Sequence, residues 1–298
     1  MPSKRVPSEN ELFEWRQMLQ IATLDALLAS RRWAPGDLIF QGGTSLHLVY
    51  GSPRFSEDLD FLVNESIDLQ SISESVRLRL QDLRFAGGAL RTAGKSVRVS
   101  KSKDRRNPHS FVVSLSEERA LGSARVKVEM WKAPGTALST LQVVVRPVRL
   151  PSGVASFVPS ASVSEIRADK VFALGARPYL KPRDIFDLYW LSGQEEAREC
   201  TEQDFRTRFA IYPNLPPRAW LEQSSVRRRE IIESSSSIAD DLRRFLPFGW
   251  PMGESEATLM VERAVRDLDR ARRFVRHLCK GNPSEEGQDC GPDRASRP

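Results

Sequence analysis

One segment of the chain, residues 40–63, restricts the possible fold more than any other. Residues 37–40, in which three apolar side chains follow Asp37, predict a short strand, which leads into Gly42 and Gly43 and then into a helical pattern. Adjacent glycines let the backbone approach a ligand closely, and the first N–H groups of a helix form an anion-binding site. The segment therefore predicts a strand, a glycine turn and a helix that together suit a phosphate group.

Two aspartates follow this turn, where a second strand is predicted over residues 59–63. Side chains at positions i and i+2 of a strand lie on the same face, so Asp58 and Asp60 are predicted side by side, with Leu59 and Phe61 in the core. Like charges at that separation repel each other, and a bound divalent cation relieves the repulsion. The pattern favours Mg²⁺ held by carboxylates and nucleotide phosphates. The alternative is a strand end with two solvated aspartates.

Composition excludes several other classes of protein. The chain has 298 residues, of which 40% are hydrophobic and 28% charged, as expected of a protein with a sizeable core. The sequence contains neither a P-loop nor an EF-hand motif. It also has no uncharged apolar run long enough to span a membrane. Its three cysteines match neither a disulfide framework nor a zinc site. We expect a cytoplasmic protein.

The order of the predicted elements divides the chain into two halves and a tail. Strand patterns continue to residue 148, residues 151–159 have the composition of a linker, and helical patterns follow. We therefore expect an α/β domain over residues 1–150 and a helical C-terminal domain over residues 151–280. Residues 281–298 contain almost no apolar side chains and are expected to be disordered.

A strand predicted over residues 126–131 supplies a third carboxylate. Its alternation places the apolar residues on one face and Lys127, Glu129 and Trp131 on the other. If this strand lies beside the strand of the two aspartates, Glu129 completes a triad that suits two metal ions and in-line displacement at an α-phosphate. Glu129 is then the candidate for deprotonating an acceptor hydroxyl, and Trp131 is a candidate for stacking on a base. The alternatives are a Lys–Glu pair on an exposed strand face and a packing role for the tryptophan.

Two groups of basic residues are candidates for contacting phosphate. The strip from Arg91 to Arg106 holds seven Lys or Arg residues, enough to account for the whole net charge of +6. It suggests a polyanion, or else a solvated hairpin. Lys170 lies on one predicted helical stripe with Arg167 and Arg177. We expect this stripe to face outward, where it would suit a triphosphate.

The motifs together resemble the DNA polymerase β-like nucleotidyltransferase superfamily. The Gly-Gly-Thr-Ser-Leu segment at residues 42–46 and residues 54–61 are similar to its AbiEii branch, toxins of bacterial toxin–antitoxin and phage-defence systems. The Lys-x-(Asp/Glu) motif of the family resembles residues 127–129, and its late Arg-Asp-x-x-Asp motif resembles residues 183–187. Gln41 departs from the pattern, because many members have Lys before the two glycines.

On the late helix, the spacing itself places Asp184 and Asp187 on one face and allows Arg183 to pair with Asp187. The alternative is an ordinary acidic helix N-terminus. The resemblance makes Lys170 and Asp184 site residues and Asp187 an organiser of the site.

The resemblance implies an α+β fold, with a mixed sheet, flanking helices and a helical C-terminal domain. It also implies Mg²⁺-dependent transfer of a nucleoside monophosphate from an NTP to an acceptor, with RNA, and the tRNA 3′ end in particular, as the acceptor. A cognate AbiEi-type antitoxin is the implied partner. The implied catalytic residues are Asp58, Asp60, Glu129, Lys170 and Asp184, the first three of them as metal ligands. The implied nucleotide and phosphate contacts are Gly42, Gly43, Thr44, Ser45, Arg54, Ser56, Lys127 and Lys170.

Three other functions stay open at this level. The same fold transfers nucleotides to protein hydroxyls or to small molecules, and a protein of this kind can also bind nucleotide or RNA without catalysis. The presence of Asp58, Asp60 and Glu129 argues against a non-catalytic module. A kinase that uses the same metal site is the third alternative.

Overall fold

The computed structural model describes residues 4–82, 95–101, 109–149, 155–247 and 249–280. The tail predicted for residues 281–298 lies outside the described residues, as do parts of the strip between Arg91 and Arg106. No helix in the described ranges has the length and apolar character needed to cross a membrane.

The described strands form one mixed sheet. They span Leu38–Gln41 (β1), Leu59–Asn64 (β2), Lys95–Lys101 (β3), Phe111–Glu117 (β4), Ala124–Ala133 (β5), Val143–Arg149 (β6) and Ala155–Ala161 (β7). Their order across the sheet is β3-β4-β5-β2-β1-β7-β6. The β2–β5 and β1–β7 pairs are parallel and the other neighbours are antiparallel. This order places β5 directly beside β2, although β3 and β4 intervene in the chain.

Helices flank this sheet and form the C-terminal part of the protein. They span Glu9–Leu28 (α1), Gly42–Tyr50 (α2), Ile72–Gln81 (α3), Gly135–Leu138 (α4), Val163–Ala176 (α5), Pro182–Ser192 (α6), Glu202–Ile211 (α7), Pro217–Glu233 (α8), Ser235–Arg243 (α9) and Glu254–Lys280 (α10). Ser8 begins α1 in a capping box with Glu11, which satisfies two backbone N–H groups at the start of the helix. The architecture confirms the predicted α+β class.

Apolar side chains pack into three clusters. One lies between the sheet and α1 with α3, and includes Leu19, Phe61 and Val76. The second lies on the opposite face, where Leu46 of α2 and Ile166 of α5 contact β1 and β2. The third joins the C-terminal helices, with α10 packed against α5, α6 and α8. The sheet and the C-terminal helices therefore meet along α5 and α6.

The predicted linker at residues 151–159 is wrong from Ala155 onward, because β7 begins there. β7 lies between β1 and β6 and alternates between exposed Phe157 and fully buried Val158. Pairing with distant strands defines this element, and the local density of Pro, Gly and Ser does not reveal such pairing. The sheet therefore continues to Ala161, and the domain boundary at residue 150 stays a prediction.

Candidate active site

Three carboxylates meet at one end of the parallel β2–β5 pair. Asp60 and Glu129 are direct neighbours in the register of these strands, so the condition under which the sequence predicts a carboxylate triad is met. Leu59 and Phe61 are fully buried on the side of α1 and α3. Asp58 and Asp60 therefore project to the opposite face, toward Glu129.

Burial and mutual repulsion disfavour the ionised form of the two aspartates, although Lys170 and Arg177 act in the opposite direction on Asp60. Burial raises the pKa of Asp60 to about 7, and the charges of Glu129 and Asp58 add to the rise. The pKa of Asp58 is also raised, first by burial and then by Glu129 and Glu57. Positive charge brought to the cluster would favour the ionised form of both aspartates.

The donor set fits a hard divalent cation that is bound together with a substrate. Carboxylate oxygens suit Mg²⁺, which is usually held by one or two carboxylates plus phosphates rather than by an all-protein cage. Glu129 forms an ion pair with Lys127. Across the ranges that the structure describes, no three His, Cys, Asp or Glu side chains are arranged to hold a metal ion. Asp58 and Asp60 thus fit as metal ligands that need phosphate oxygens to complete the coordination.

The glycine pair is required by the close approach of other side chains. Gly42 has φ +78°, and a Cβ there would lie 2.4 Å from Oδ2 of Asp60. A Cβ on Gly43 would lie 2.3 Å from Nη2 of Arg54. The turn therefore brings the N-terminus of α2 against the carboxylates, where its first N–H groups favour an anion.

Gly42→Ala is expected to lower the free energy of unfolding by about 2–4 kcal/mol, because it combines a left-handed backbone with a clash against Asp60. Gly36→Ala is the matched control, since Gly36 has φ +84° and open space around its Cβ position. Its expected cost is about 1–2 kcal/mol. Chemical denaturation measures both values, and equal costs would show that the close approach contributes nothing.

Arg54 and Asp187 form a buried ion pair that ties the segment before β2 to α6. Nε and Nη2 of Arg54 donate to the two oxygens of Asp187 at 2.7 and 2.8 Å, and Lys170 Nζ lies 2.8 Å from Asp187 Oδ2. Burial alone would raise the pKa of Asp187, but Arg54 and Lys170 lower it to about 2. The predicted Arg183–Asp187 pair is wrong, because the guanidinium of Arg183 is directed to Glu57, 3.9 Å away.

The predicted outward stripe on α5 is also wrong. Lys170 is only 8% exposed, and its Nζ donates to Asp184 Oδ1 at 2.9 Å. The other oxygen of Asp184 accepts from Arg177. Arg167 points to the C-terminal helices and pairs with Asp267 at 2.9 Å. The reason is that α5 packs against the sheet and against α2, α6, α7, α8 and α10, so most of its surface is covered.

A cavity of about 410 Å³ opens beside the carboxylates. Its volume lies in the range of small-molecule sites. Asp60 and Glu129 line one end, and cations and rings line the rest, namely Lys170, Arg177, Lys181, Trp131, Phe172, Tyr179 and Tyr212. Positive charge next to aromatic faces suits a nucleoside triphosphate. We call this space the nucleotide cavity.

A smaller cavity of about 110 Å³ continues from the nucleotide cavity past the carboxylates. Both cavities are lined by Asp60 and Glu129 and by the same three cations. The smaller one adds Gly43, Ser56, Asp58, Arg54, Arg183 and Asp184 to this lining. We call this smaller space the carboxylate cavity. Together the two cavities form one continuous space that is lined by most of the predicted site residues.

Thr44 and Ser45, predicted to contact phosphate, line neither the nucleotide cavity nor the carboxylate cavity. The hydroxyl of Thr44 donates to the backbone carbonyl of Asp58, and Oγ of Ser45 lies 2.6 Å from Oγ of Ser160 in β7. Both side chains are fully buried. Their hydroxyls hold α2 against the sheet instead of lining the two cavities.

Lys181 and Tyr212 line the nucleotide cavity but were missed by the motif analysis. Burial and the charges of Arg177 and Arg183 lower the pKa of Lys181 to about 8. The density of cations between two predicted helices, at residues 177–183, is the signal that could have found it. Tyr212 hydrogen-bonds Gln41, the residue where the family pattern has Lys, and donates to Asp169 at 2.9 Å. Only tertiary contact reveals this partner.

The described part of the basic strip is separated from the carboxylates by two strands. Lys95, Arg98 and Lys101 lie on β3, which β4 and β5 separate from β2. Its other basic residues lie outside the described residues.

The sheet, its glycine turn and the carboxylates of two parallel strands are the features expected of a nucleotidyltransferase, and the family match shows that the chain is one. The chain belongs to the family described as nucleotidyl transferase AbiEii toxin of type IV toxin–antitoxin systems, whose model matches residues 26–249. Membership implies an NTP substrate and an antitoxin partner. Nucleotidyltransferases of this kind generally use a divalent metal ion.

Solved structures share the fold at low sequence identity. JHP933 from Helicobacter pylori is 19% identical, with a TM-score of 0.50 over 92% of this chain and 99% of that chain. MenT4, a nucleotidyltransferase toxin from Mycobacterium tuberculosis, is 16% identical, with a TM-score of 0.52 over 92% of this chain and 96% of that chain. No curated protein sequence matches the chain.

Proposed function

We propose that the protein transfers a nucleoside monophosphate from an NTP to the hydroxyl at the 3′ end of an RNA, with tRNA as the acceptor and Mg²⁺ as the metal ion. The observation that carries this proposal is the direct pairing of Asp60 with Glu129 across β2 and β5. This pair lies where the nucleotide cavity meets the carboxylate cavity.

The residues divide between binding and proton transfer. Asp58 and Asp60 would hold Mg²⁺ together with phosphate oxygens of the substrate, with Glu129 beside them, and the bound ion would neutralise charge on the phosphate at which substitution occurs. The acceptor oxygen forms a bond to the α-phosphorus as the bond to the β-phosphate oxygen breaks, and pyrophosphate leaves. A carboxylate oxygen of Glu129 accepts the proton of the acceptor hydroxyl.

The cations of the nucleotide cavity suit the triphosphate. Lys170, Arg177 and Lys181 line both the nucleotide and the carboxylate cavities, so they reach the space in which phosphates would meet the carboxylates. Asp184 binds Lys170 and Arg177 and acts as a positioning residue for them. Asp187 has the same role toward Lys170 and Arg54.

Trp131 is placed to stack on the base of the NTP. It lies two residues beyond Glu129 on the same face of β5 and lines the nucleotide cavity with 36% of its surface exposed. Trp131→Ala is expected to raise the KM for NTP about 10-fold with little change in stability, because a stacked base contributes about 1–3 kcal/mol. Trp250→Ala is the control, since Trp250 is 37% exposed but lines neither cavity. Equal KM values for both variants would rule out the stacking role.

The partner and setting follow from the family. We propose an AbiEi-type antitoxin as the partner, phage defence as the role, and the cytoplasm as the place of action. Co-expression with the adjacent gene tests this, since an antitoxin should relieve growth arrest that the protein alone causes.

Transfer itself is tested with α-labelled NTPs, Mg²⁺ and total cellular RNA, with the Asp58→Ala/Asp60→Ala variant as control. Label in RNA, with release of pyrophosphate, is the expected result. Label that moves with protein or with a small molecule would reassign the acceptor. Transfer from γ-labelled NTP would indicate a kinase, and the absence of transfer with every NTP would reject the proposal.

A further inference from the structure

A third cavity of about 450 Å³ lies between α1 and the residues that follow α9. It is built from Phe13, Arg16 and Gln17 of α1, Phe55 to Glu57 of the segment before β2, and Arg244 and Phe245. The backbone N–H of Phe55 donates to the carbonyl of Phe245 at 2.8 Å, which fixes the two walls against each other. We call this space the α1 cavity.

The α1 cavity is connected to the carboxylates on the side away from the nucleotide cavity. Ser56 and Arg183 line both the α1 cavity and the carboxylate cavity, and Glu57 of its wall directly precedes Asp58. The nucleotide cavity shares no lining residue with the α1 cavity. The carboxylates therefore lie between two separate cavities. In-line displacement needs this arrangement, because the attacking and leaving oxygens occupy opposite sides of the phosphorus.

The walls of the α1 cavity carry aromatic rings next to guanidinium groups. Phe13 and Phe55 make an edge contact with ring centroids 4.1 Å apart. The guanidinium carbons of Arg183 and Arg244 lie 4.6 and 4.7 Å from the ring centre of Phe245. Rings and guanidinium planes that alternate in this way bind the unstacked bases and the phosphates of single-stranded nucleic acid.

Hydrogen-bonding capacity in this cavity is incompletely used by the protein. Nε of Arg16 is buried and has no hydrogen-bond partner among the described residues, while its Nη1 lies 3.0 Å from Glu57. A buried donor without a partner costs free energy, which a bound polar ligand would recover. Glu9 and Glu57 also line the cavity and offset part of the positive charge, and Glu57 lies beside both Arg16 and Arg183, so Arg244 is the main group for a phosphate.

We propose that the α1 cavity binds the 3′-terminal part of the acceptor RNA as a single strand, with a base against Phe245 and Phe55 and a phosphate at Arg244. This inference rests on the proposed function and adds to it the place of the acceptor. The nucleotide cavity then holds the NTP alone, and changes in the α1 cavity affect the acceptor without affecting the NTP.

Arg244→Ala tests the proposal, with Arg243→Ala as the matched control. Arg243 is adjacent, largely exposed and outside the α1 cavity, so its loss removes the same charge from the same region. For Arg244→Ala we expect a rise of about 5-fold or more in the KM for total RNA, with the KM for NTP unchanged. The slope of log(kcat/KM) for RNA against log salt should also fall by about one, as expected for one lost phosphate contact. Arg243→Ala should change neither quantity.

Phe245→Ala provides a second measurement, with an expected rise of about 10-fold in the KM for RNA from lost stacking. If the KM for RNA and the salt slope of Arg244→Ala equal those of the unmodified enzyme, the acceptor site is overturned. The proposed function still holds in that case, provided that the unmodified enzyme transfers label to RNA. An equal rise in the KM for NTP would also overturn it. If the wild-type enzyme labels protein instead of RNA, both proposals fall together.

Discussion

Asp60→Asn is expected to lower nucleotidyl transfer by about 10³-fold or more and, in the absence of divalent metal, to stabilise the folded protein. A metal site that neutralises charge in the transition state contributes several kcal/mol, and each 1.4 kcal/mol is about tenfold in rate. The same substitution removes one of three neighbouring carboxylates in a partly buried cluster. We therefore expect an increase of about 1–3 kcal/mol in the free energy of unfolding when EDTA is present.

Both halves of this prediction are measurable in one preparation. Transfer is followed with α-labelled NTP, and stability is followed by denaturation with EDTA and then with Mg²⁺. Mg²⁺ should stabilise the wild-type protein more than Asp60→Asn, because binding to the folded state alone adds to its stability. Glu65→Gln, an exposed acid just after β2, is the control and should behave as wild type. Loss of stability together with activity would mean that Asp60 is needed for folding instead.

Arg54→Met is expected to lower the free energy of unfolding by about 3–5 kcal/mol, the second-largest effect that we predict. Removing one partner of a buried ion pair leaves the other charge uncompensated. Arg54 and Asp187 are 2% and 0% exposed, and the two hydrogen bonds between them join the segment before β2 to α6. Lys170 remains beside Asp187 and compensates part of the loss.

The double variant Arg54→Met/Asp187→Leu separates the charge from the packing. It should recover most of the stability, because apolar residues of similar volume often replace a buried pair without loss. It should not recover full activity, since Lys170 loses one of the two carboxylates that position it and keeps only Asp184. The double-mutant cycle is expected to give a coupling of at least about 2 kcal/mol. Additive effects of the two single variants would show that the pair is not coupled.

The same pair predicts a pH dependence of stability. The pKa of Asp187 is about 2 in the folded protein against an ordinary value of 3.8. A lowered folded-state pKa adds stability that is complete above the unfolded value and is lost as the pH falls through the folded value. The stability of the wild type relative to the single variant Asp187→Leu should therefore fall by about 2 kcal/mol between roughly pH 5 and pH 2.

The sequence was most informative where chemistry depends on local spacing. The i, i+2 relation of Asp58 and Asp60, the alternation around Glu129 and the strand–glycine–helix turn are properties of neighbouring residues, and the structure confirms each of them. The helical patterns over residues 202–211 and 217–233 predict two helices, and α7 and α8 have these bounds. Caps and periodicity act over one or two turns, so they can be recognised without the fold.

The predictions that failed all depended on which distant parts of the chain pack or pair with a given helix or strand. A charged stripe on α5 indicates solvent only if nothing packs against it, and α5 contacts the sheet and five helices. On an isolated helix Arg183 would be the partner of Asp187, four residues later. In the folded protein both oxygens of Asp187 accept hydrogen bonds from Arg54, which lies in a distant loop. β7 has the composition of a linker and becomes a strand because β1 and β6 pair with it.

By itself, then, the sequence determined the glycine turn and the i, i+2 spacing of Asp58 and Asp60 at the start of β2, because these follow from backbone geometry within a short segment. The class of fold followed from the resemblance of these motifs to a known family. Only the tertiary structure decided which side chains share the site. It set β5 beside β2, so that Glu129 faces Asp60, and it brought Lys181 and Tyr212 to the nucleotide cavity. It also buried Arg54 against Asp187 and left the α1 cavity on the far side of the carboxylates. The physical reason is that partners distant in the chain are selected by packing and by the need to pair buried charges, which no local pattern encodes.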